Sequence, residues 1–286
     1  MNSDLLRTIT PDEIGTYHRD GVLLLSGMFD KDWIELLNKG IDTNIKTPTR
    51  GSRIWYKDTS GRSMFYDHTA WQNIDEYKKF IFNSPAAQIC GQLMKSTIVN
   101  FFFDSVFVRS TGTQFETPWH QDEPYWSVEG YDACTIWMPL APVKKKSSLS
   151  FVPGSHLWKT VFKHYNFGDL NPVEKKNVDQ VDFSDIAEQE LPDINSDPER
   201  FGVVSWDMQP GDCIVFNGRT MHGGSGKLGD DCDLRVFTTK WAGDDIRIKF
   251  RDYGMDPNHS VEMMEKGLKP GDCLDTDMFP LIWKKV

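Results

Sequence analysis

The sequence predicts a mainly β barrel or sandwich with flanking helices, and three observations lead to this fold class. From residue 98 onward, short runs rich in β-branched and aromatic residues follow one another along the chain. Turn residues separate these runs, among them Gly112, Pro153-Gly154 and Pro210-Gly211. The chain also contains 18 Phe, 10 Trp and 8 Tyr, and aromatic residues are enriched in strands and in ligand pockets. Many short strands with regular turn signals are typical of closed β architectures.

The first third of the chain supplies the flanking helices. Thr10 and Glu13 form a capping box around Pro11, which suits the first helical position, so a helix is predicted to begin here and end near Arg19. A short buried strand follows at residues 22–25. Apolar residues recur at helical spacing in two further segments, which are also predicted to be helices: 30–45 and 84–96.

The remaining two thirds of the chain supply the strands. Seven segments are predicted strands by their β-branched and aromatic content: 98–103, 105–109, 133–140, 148–152, 201–206, 212–216 and 234–241. An acidic, mostly polar stretch at residues 157–200 interrupts this series. It is too long for a plain loop in a compact domain, so we expect an insertion or a lid there. We treat residues 1–286 as a single domain.

Charge and composition argue against several classes of function. The formal net charge is -10, whereas proteins that bind nucleic acid or anionic membranes nonspecifically need a basic face. The five cysteines are widely spaced and form no Cys-x-x-Cys pair, which argues against a disulfide framework or a zinc site. No apolar run is long enough to span a bilayer, and the N-terminus lacks a signal-peptide pattern. We therefore expect a cytoplasmic protein that binds neither nucleic acid nor membrane.

A His-x-Asp pair and a distant histidine form a candidate metal site. His120 and Asp122 lie two residues apart, and such residues point to the same face of a strand. His222 follows an apolar strand and a turn. Two imidazoles and one carboxylate leave adjacent coordination positions open, which suits Fe(II) that must bind a cosubstrate and O₂. Each motif alone is weak, because His-x-Asp is common by chance and His222 could be a core or surface residue.

Arg235 is the candidate anchor for a dicarboxylate cosubstrate. It lies in a predicted strand soon after His222, beside apolar residues. An arginine on a mostly buried strand needs an anion, and its guanidinium fork binds a carboxylate in a bidentate manner. The alternative is a structural salt bridge with Asp244 or Asp245. The remaining histidines have no partner at a useful spacing; His259, for example, is expected at the surface or at a helix cap.

Six segments, taken together and in this order, resemble the phytanoyl-CoA dioxygenase family: Trp119-His-Gln-Asp-Glu-Pro-Tyr-Trp126, Trp137-Met-Pro-Leu140, Phe151-Val-Pro-Gly-Ser-His156, Pro210-Gly-Asp212, His222-Gly-Gly and Arg235 to Asp245. The resemblance covers roughly residues 10 to 245. It implies a double-stranded β-helix, or jelly-roll, core that is cupin-like. One departure is an apparent insertion at residues 229–233, between His222 and Arg235.

The resemblance also implies a function and a set of site residues. It implies an Fe(II)- and 2-oxoglutarate-dependent dioxygenase, with Fe(II) held by His120, Asp122 and His222. Arg235 would bind the distal carboxylate of 2-oxoglutarate. Three further positions match cosubstrate contacts of the family: Phe102, Trp137 and Ser225. The expected reaction is the hydroxylation of a small organic molecule with O₂, releasing succinate and CO₂.

Aromatic residues near these motifs are candidates for substrate binding, although each could equally belong to the ordinary core: Tyr125, Trp126, Trp55, Tyr56 and Phe65. Two other functions stay open. One is a cupin-like metal-binding or sensor protein without turnover, and the other is a metal-dependent hydrolase or isomerase on the same barrel. The complete set of His120, Asp122, His222 and Arg235 argues against an inactive protein.

Overall fold

The computed structural model describes residues 1–160, 162, 190–226, 233–251, 255–274 and 276–285, with only the backbone of Tyr56. Five helices lie in these ranges: α1 Pro11–Asp20, α2 Lys31–Lys46, α3 Asp75–Asn83, α4 Ala86–Met94 and α5 Ser260–Glu265. The strands are β1 Val22–Leu25, β2 Arg53–Lys57, β3 Ser63–His68, β4 Ile98–Arg109, β5 Thr117–His120, β6 Val128–Glu129, β7 Ala133–Pro139, β8 Ser150–Phe151, β9 Cys213–Asn217, β10 His222–Gly224, β11 Leu234–Ala242, β12 Arg247–Ile248 and β13 Leu281–Lys284.

Two antiparallel sheets form the body of the fold. The large sheet has the strand order β1-β9-β7-β11-β4-β3-β2, and β13 adds to β4. The small sheet has the order β5-β10-β8, and β12 pairs separately with β6. Neighbouring strands are mostly distant in sequence, as in a jelly roll, where the chain crosses repeatedly between two sheets. The prediction of a mainly β, cupin-like jelly-roll core with flanking helices is confirmed.

Helices α1 to α4 pack against the outer face of the large sheet. The main core contains Trp33 and Leu37 of α2, Phe80 of α3 and Leu93 of α4, together with Phe237 of β11. The predicted capping box of α1 is present, because Thr10 Oγ1 accepts from the Glu13 backbone N–H and the Glu13 carboxylate accepts from that of Thr10. Helix α3 was not predicted, since Ile74 at its N-cap makes no side-chain cap and gives no start signal.

Two predicted strands differ in the structure. The segments 98–103 and 105–109 form one continuous strand, β4, because the polar residues between them are buried within the sheet. Residues 201–206 form no strand; only Val204 makes an isolated bridge, to Phe151 of β8. The core of the expected insertion, residues 163–189, lies outside the described residues. Its described flanks pack inward, since Phe162 and Ile194 join a small apolar cluster.

The pairing of β4 with β11 places the side chains that matter most for the site. Leu234 lies opposite Arg109, and Arg235 lies opposite Val108. Successive side chains of a strand point to opposite faces, so these two cross-strand pairs face opposite sides of the large sheet. Among the described helices, none combines the length and apolar character required to cross a bilayer.

Candidate active site

Three side chains converge in the interior between the two sheets. One potential ligand atom from each of His120, Asp122 and His222 lies within 4.8 Å of the other two. The Nε2 atoms of His120 and His222 lie 3.4 Å and 3.6 Å from Oδ1 of Asp122. The imidazole ring centroids are 4.1 Å apart. The predicted triad is therefore assembled in space.

Hydrogen bonds from the opposite ring nitrogens hold both imidazoles in place. Nδ1 of His120 lies 2.8 Å from the Pro118 carbonyl, and Nδ1 of His222 lies 2.9 Å from the Thr220 carbonyl. A carbonyl only accepts, so each Nδ1 carries the proton and each Nε2 presents its lone pair. This tautomer and orientation are those of metal-binding histidines.

The fold brings the triad together through one cross-strand pair and one turn. His120 ends β5 and pairs directly with His222 of β10. Asp122 lies beyond the end of β5, in a turn with helical backbone angles, so turn geometry and not strand alternation directs its carboxylate. The Gly218 carbonyl accepts from the backbone N–H groups of Asp122 and Glu123, which fastens this turn to the end of β9.

The charges of the triad suit a metal ion. Burial opposes ionisation of Asp122, but the neighbouring imidazoles of His222 and His120 outweigh it and lower the pKa of Asp122 to about 2. Burial and the charge of His120 lower the pKa of His222 to about 4. Thr135 Oγ1 lies 3.3 Å from Asp122 Oδ2 and donates to it. At neutral pH the site presents an ionised carboxylate and a neutral His222, as metal binding requires.

A cavity of about 350 Å³ surrounds the triad, a size that suits a small ligand. Both sheets contribute to its wall, and the wall combines aromatic rings with a few polar and charged groups. Its lining includes Arg53, Trp55, Met64, Tyr66, Phe103, Ser105, Arg109, Tyr125, Trp126, Thr135, Trp137, Leu234, Val236, Thr238, Lys240 and Asp256.

Sequence and structure comparisons agree with this geometry. The model of the phytanoyl-CoA dioxygenase (PhyH) family matches residues 17–235. The chain belongs to this family. No curated protein matches the sequence significantly.

Solved structures of related PhyH-type fold are similar over most of the chain. SnoK, a non-haem α-ketoglutarate-dependent carbocyclase from nogalamycin biosynthesis, is 16% identical with a TM-score of 0.69, covering 99% of this chain and 100% of its own. The epimerase SnoN, in complex with Fe³⁺, α-ketoglutarate and nogalamycin RO, is 18% identical with a TM-score of 0.65, covering 94% and 97%. EctD from S. alaskensis, with 2-oxoglutarate and 5-hydroxyectoine, is 18% identical with a TM-score of 0.61, covering 82% and 76%.

Family membership makes the protein an iron- and 2-oxoglutarate-dependent oxygenase, and its residues fit that metal. Two imidazoles whose Nε2 atoms face one ionised carboxylate are the facial set that non-haem Fe(II) oxygenases use. The carbonyls of Pro118 and Thr220 and the hydroxyl of Thr135 hold the three side chains in position. This preorganisation lowers the cost of assembling the coordination sphere.

Several of the other predicted site residues of this PhyH-family chain do line the cavity. Trp137 on β7 lies in its wall, as do Tyr125 and Trp126 just after the triad turn. Trp55 of β2 also lines it and stacks on Tyr66, with ring centroids 4.1 Å apart. The side chain of Tyr56 lies outside the described atoms.

Three predicted residues do not line the cavity. Phe65 faces the helices, because its neighbours Met64 and Tyr66 take the inward positions of β3. Phe102 lies at a bulge where β11 skips from Phe103 to Phe101, so Phe103 lines the cavity in its place. Ser225 is exposed and donates to the Lys146 carbonyl at 2.9 Å.

The expected role of Arg235 requires correction. Its guanidinium donates to Asp42 Oδ1 at 2.7 Å and to the Asn38 carbonyl at 2.9 Å, both on α2. Arg235 therefore lies on the helix-facing side of the large sheet, away from the cavity wall. The structural salt bridge considered as the alternative is present, but with Asp42 and not with Asp244 or Asp245.

Three cations that the sequence analysis missed line the cavity: Arg53, Lys240 and Arg109. Arg53 is paired with Asp256. Lys240 Nζ donates to Ser105 Oγ at 2.8 Å and to Thr238 Oγ1 at 2.6 Å, and burial lowers its pKa to about 8. Arg109 ends β4 and is only 6% exposed. Lys240 and Arg109 are charged residues in almost wholly buried strands, and that contrast was the available signal.

Proposed function

We propose that the protein hydroxylates a small organic molecule in the cytoplasm, consuming 2-oxoglutarate and O₂ and releasing succinate and CO₂. The observation that carries this proposal is the buried His120–Asp122–His222 set, with both Nε2 atoms turned toward one carboxylate. When bound, iron supplies the activation of O₂, with one oxygen atom entering the substrate and the other entering succinate.

The residues of this chain have defined tasks in that reaction. His120, Asp122 and His222, which line the cavity, would hold the metal there. Thr135 fixes the Asp122 carboxylate through its hydroxyl. The aromatic wall around Trp137 and Tyr125 excludes water and so protects reactive species from solvent.

The size and lining of the cavity support a small, partly apolar substrate. The volume of about 350 Å³ is near the lower end for small-molecule sites. Tyr125, Trp126 and Trp55 supply apolar surface near the triad, and Lys240 supplies a buried positive charge. A substrate that combines an apolar carbon skeleton with a polar or anionic group fits these features.

The test is an anaerobic titration of Fe(II)-loaded protein with 2-oxoglutarate, followed by visible absorption, in the wild type and in His222→Ala. A weak charge-transfer band is expected in the wild type and not in the variant. Admitting O₂ with candidate substrates should then yield succinate. A band without succinate for any substrate would favour the metal-sensor alternative, and turnover with Zn(II) under nitrogen would favour a hydrolase or isomerase.

A further inference from the structure

We propose that Arg109, on the strand next to the one that carries Arg235, binds the distal carboxylate of 2-oxoglutarate. This inference rests on the proposed function, because it assigns a residue to the cosubstrate of that reaction. It places the anchoring guanidinium at the end of β4, opposite Leu234 of β11.

Arg109 is a buried cation that forms no ion pair with any described residue. The residue is 6% exposed and lines the cavity, yet its Nε has no hydrogen-bond partner in the part of the chain that the structure describes. Its one described hydrogen bond runs from a terminal nitrogen to the Gly226 carbonyl. Among the described residues no carboxylate pairs with it, and burial alone lowers its pKa to about 10. A buried guanidinium without an anion is costly, and its fork matches a carboxylate.

The position of Arg109 also suits a ligand that reaches the metal. Gly226, which accepts from Arg109, lies four residues after the metal ligand His222. At about 3.4 Å per extended residue, the backbones of Gly226 and His222 are at most roughly 14 Å apart. Arg109 and His222 line the same cavity. A dicarboxylate with its keto-acid end at the triad would lie in the cavity that Arg109 also lines.

The other arginine and lysine candidates are already engaged, and among them Arg53, which also lines the cavity, is paired with Asp256 at 2.7 Å. Arg235 is paired with Asp42 on the opposite face of the sheet, although its Nε also lacks a partner. Lys240 donates to two hydroxyls and lies over the Phe103 ring at 4.6 Å, six residues along β11 from Leu234. The charges of Asp122 and Asp256 also stabilise its ammonium. Among these four cations, Arg109 alone combines access to the cavity with no charged partner among the described residues.

The experiment compares two keto acids that differ only in the distal carboxylate. Binding of 2-oxoglutarate and of 2-oxopentanoate to the Mn(II)-loaded protein is measured by anaerobic calorimetry. The wild type should prefer 2-oxoglutarate by roughly 100-fold, the scale expected for one buried charged pair. Arg109→Leu should lose this preference through weaker 2-oxoglutarate binding, with 2-oxopentanoate affinity nearly unchanged. Arg235→Leu, the matched control, should keep the wild-type preference.

Two further variants keep the test decisive. If Arg109→Leu fails to fold, Arg109→Lys retains the charge without the fork, and its preference should fall by roughly 10-fold. The double variant Arg109→Leu/Leu234→Arg moves the guanidinium to the facing cavity position, so part of the preference should return. Bound Mn(II) and near-ultraviolet circular dichroism confirm that each variant keeps its site and fold.

The outcomes separate this inference from the proposed function. If the wild type binds 2-oxoglutarate but Arg109→Leu and Arg109→Lys retain the full preference, the inference is overturned and the function stands. Loss of the preference in Arg235→Leu or in Lys240→Met, with Arg109 intact, overturns it equally. If the metal-loaded wild type binds neither keto acid, the proposed function itself fails.

Discussion

The two faces of strand β11 show how one segment serves two different purposes. Its inward residues Leu234, Val236, Thr238 and Lys240 line the cavity. Its outward residues Phe237 and Trp241 belong to the main apolar core beneath the helices. Arg235 lies on the same outward face and forms an ion pair with Asp42 of α2. Because the side-chain period of a strand is two, a shift of one residue would exchange these roles completely. The position of a residue in the alternation of β11, more than its type, therefore decides whether it lines the cavity or packs beneath the helices.

Removing a metal ligand from the inner side should have the largest effect. His222→Ala is expected to reduce 2-oxoglutarate turnover at least about 1000-fold, since the metal contributes several kcal/mol to the reaction. Bound Fe(II) and succinate formation are the measurements. The fold should survive, because His222 packs beside Phe151 and Phe216, which belong to a smaller apolar cluster and not to the main core. Full iron occupancy with normal turnover in this variant would remove His222 from the site.

Truncating the outer face should cost stability and spare the site. Phe237 is 1% exposed, and its ring lies 4.6 Å from that of Tyr77 and 5.6 Å from that of Phe80. Phe237→Ala should lower the free energy of unfolding by about 3–5 kcal/mol, as measured by chemical denaturation. The affinity of the folded variant for metal and 2-oxoglutarate should not change. A large loss of 2-oxoglutarate affinity without a loss of stability would show that the two faces are coupled.

A third test measures how the stability of the protein depends on pH through His259, a histidine away from the triad. His259 was expected at the surface but is 8% exposed, enclosed by Phe102, Phe103 and Phe279. Burial, with the charge of His68, lowers the pKa of His259 to about 4. The unfolded chain, with a histidine pKa near 6.5, therefore takes up this proton first.

The sign of the effect follows from that order of protonation. Stability should fall as pH drops from about 6.5 to about 4, by about 3 kcal/mol from this residue, and change no further below that range. Urea denaturation at several pH values measures the slope. His259→Phe should flatten it within that window, and an unchanged slope would mean that His259 is exposed in solution.

The smallest effect is expected at the ion pair of the outer face. Asp42 is more than half exposed, and its pair with Arg235 lies at the edge of the helix layer. Asp42→Asn should lower the free energy of unfolding by no more than about 1 kcal/mol, as for other partly exposed pairs. The 2-oxoglutarate affinity should be unchanged. A measurable loss of that affinity would bring Arg235 back into consideration as a cosubstrate ligand.

The fold class and the metal ligands were predictable because they depend on local signals. Strand composition, turn residues and the His-x-Asp pair all lie within short stretches of sequence. The match between predicted and observed strands is close at Val22–Leu25, Cys213–Asn217 and Leu234–Ala242. The strand predicted at residues 201–206 failed, because strand pairing depends on distant partners that local composition does not reveal.

The cosubstrate residues were less predictable because they depend on register. The sequence between His222 and β11 does not determine whether Arg235 or Leu234 faces the cavity, and the pairing with β4 decides it. The bulge opposite Phe102 likewise moved the inward position to Phe103. Arg109 ends a strand that is almost wholly buried, so no polar alternation marked which of its faces was functional.

The direct pairing of His120 with His222 has a consequence for the lifetime of the protein. The two residues lie about one hundred positions apart in the chain. An ion bound by both would therefore cross-link two distant parts of the chain. An unfolded chain cannot keep both imidazoles together, so metal binding adds directly to folding stability. Free ion at tenfold excess over its dissociation constant adds about 1.4 kcal/mol. Iron supply would then set how many molecules escape degradation, as well as how many can turn over.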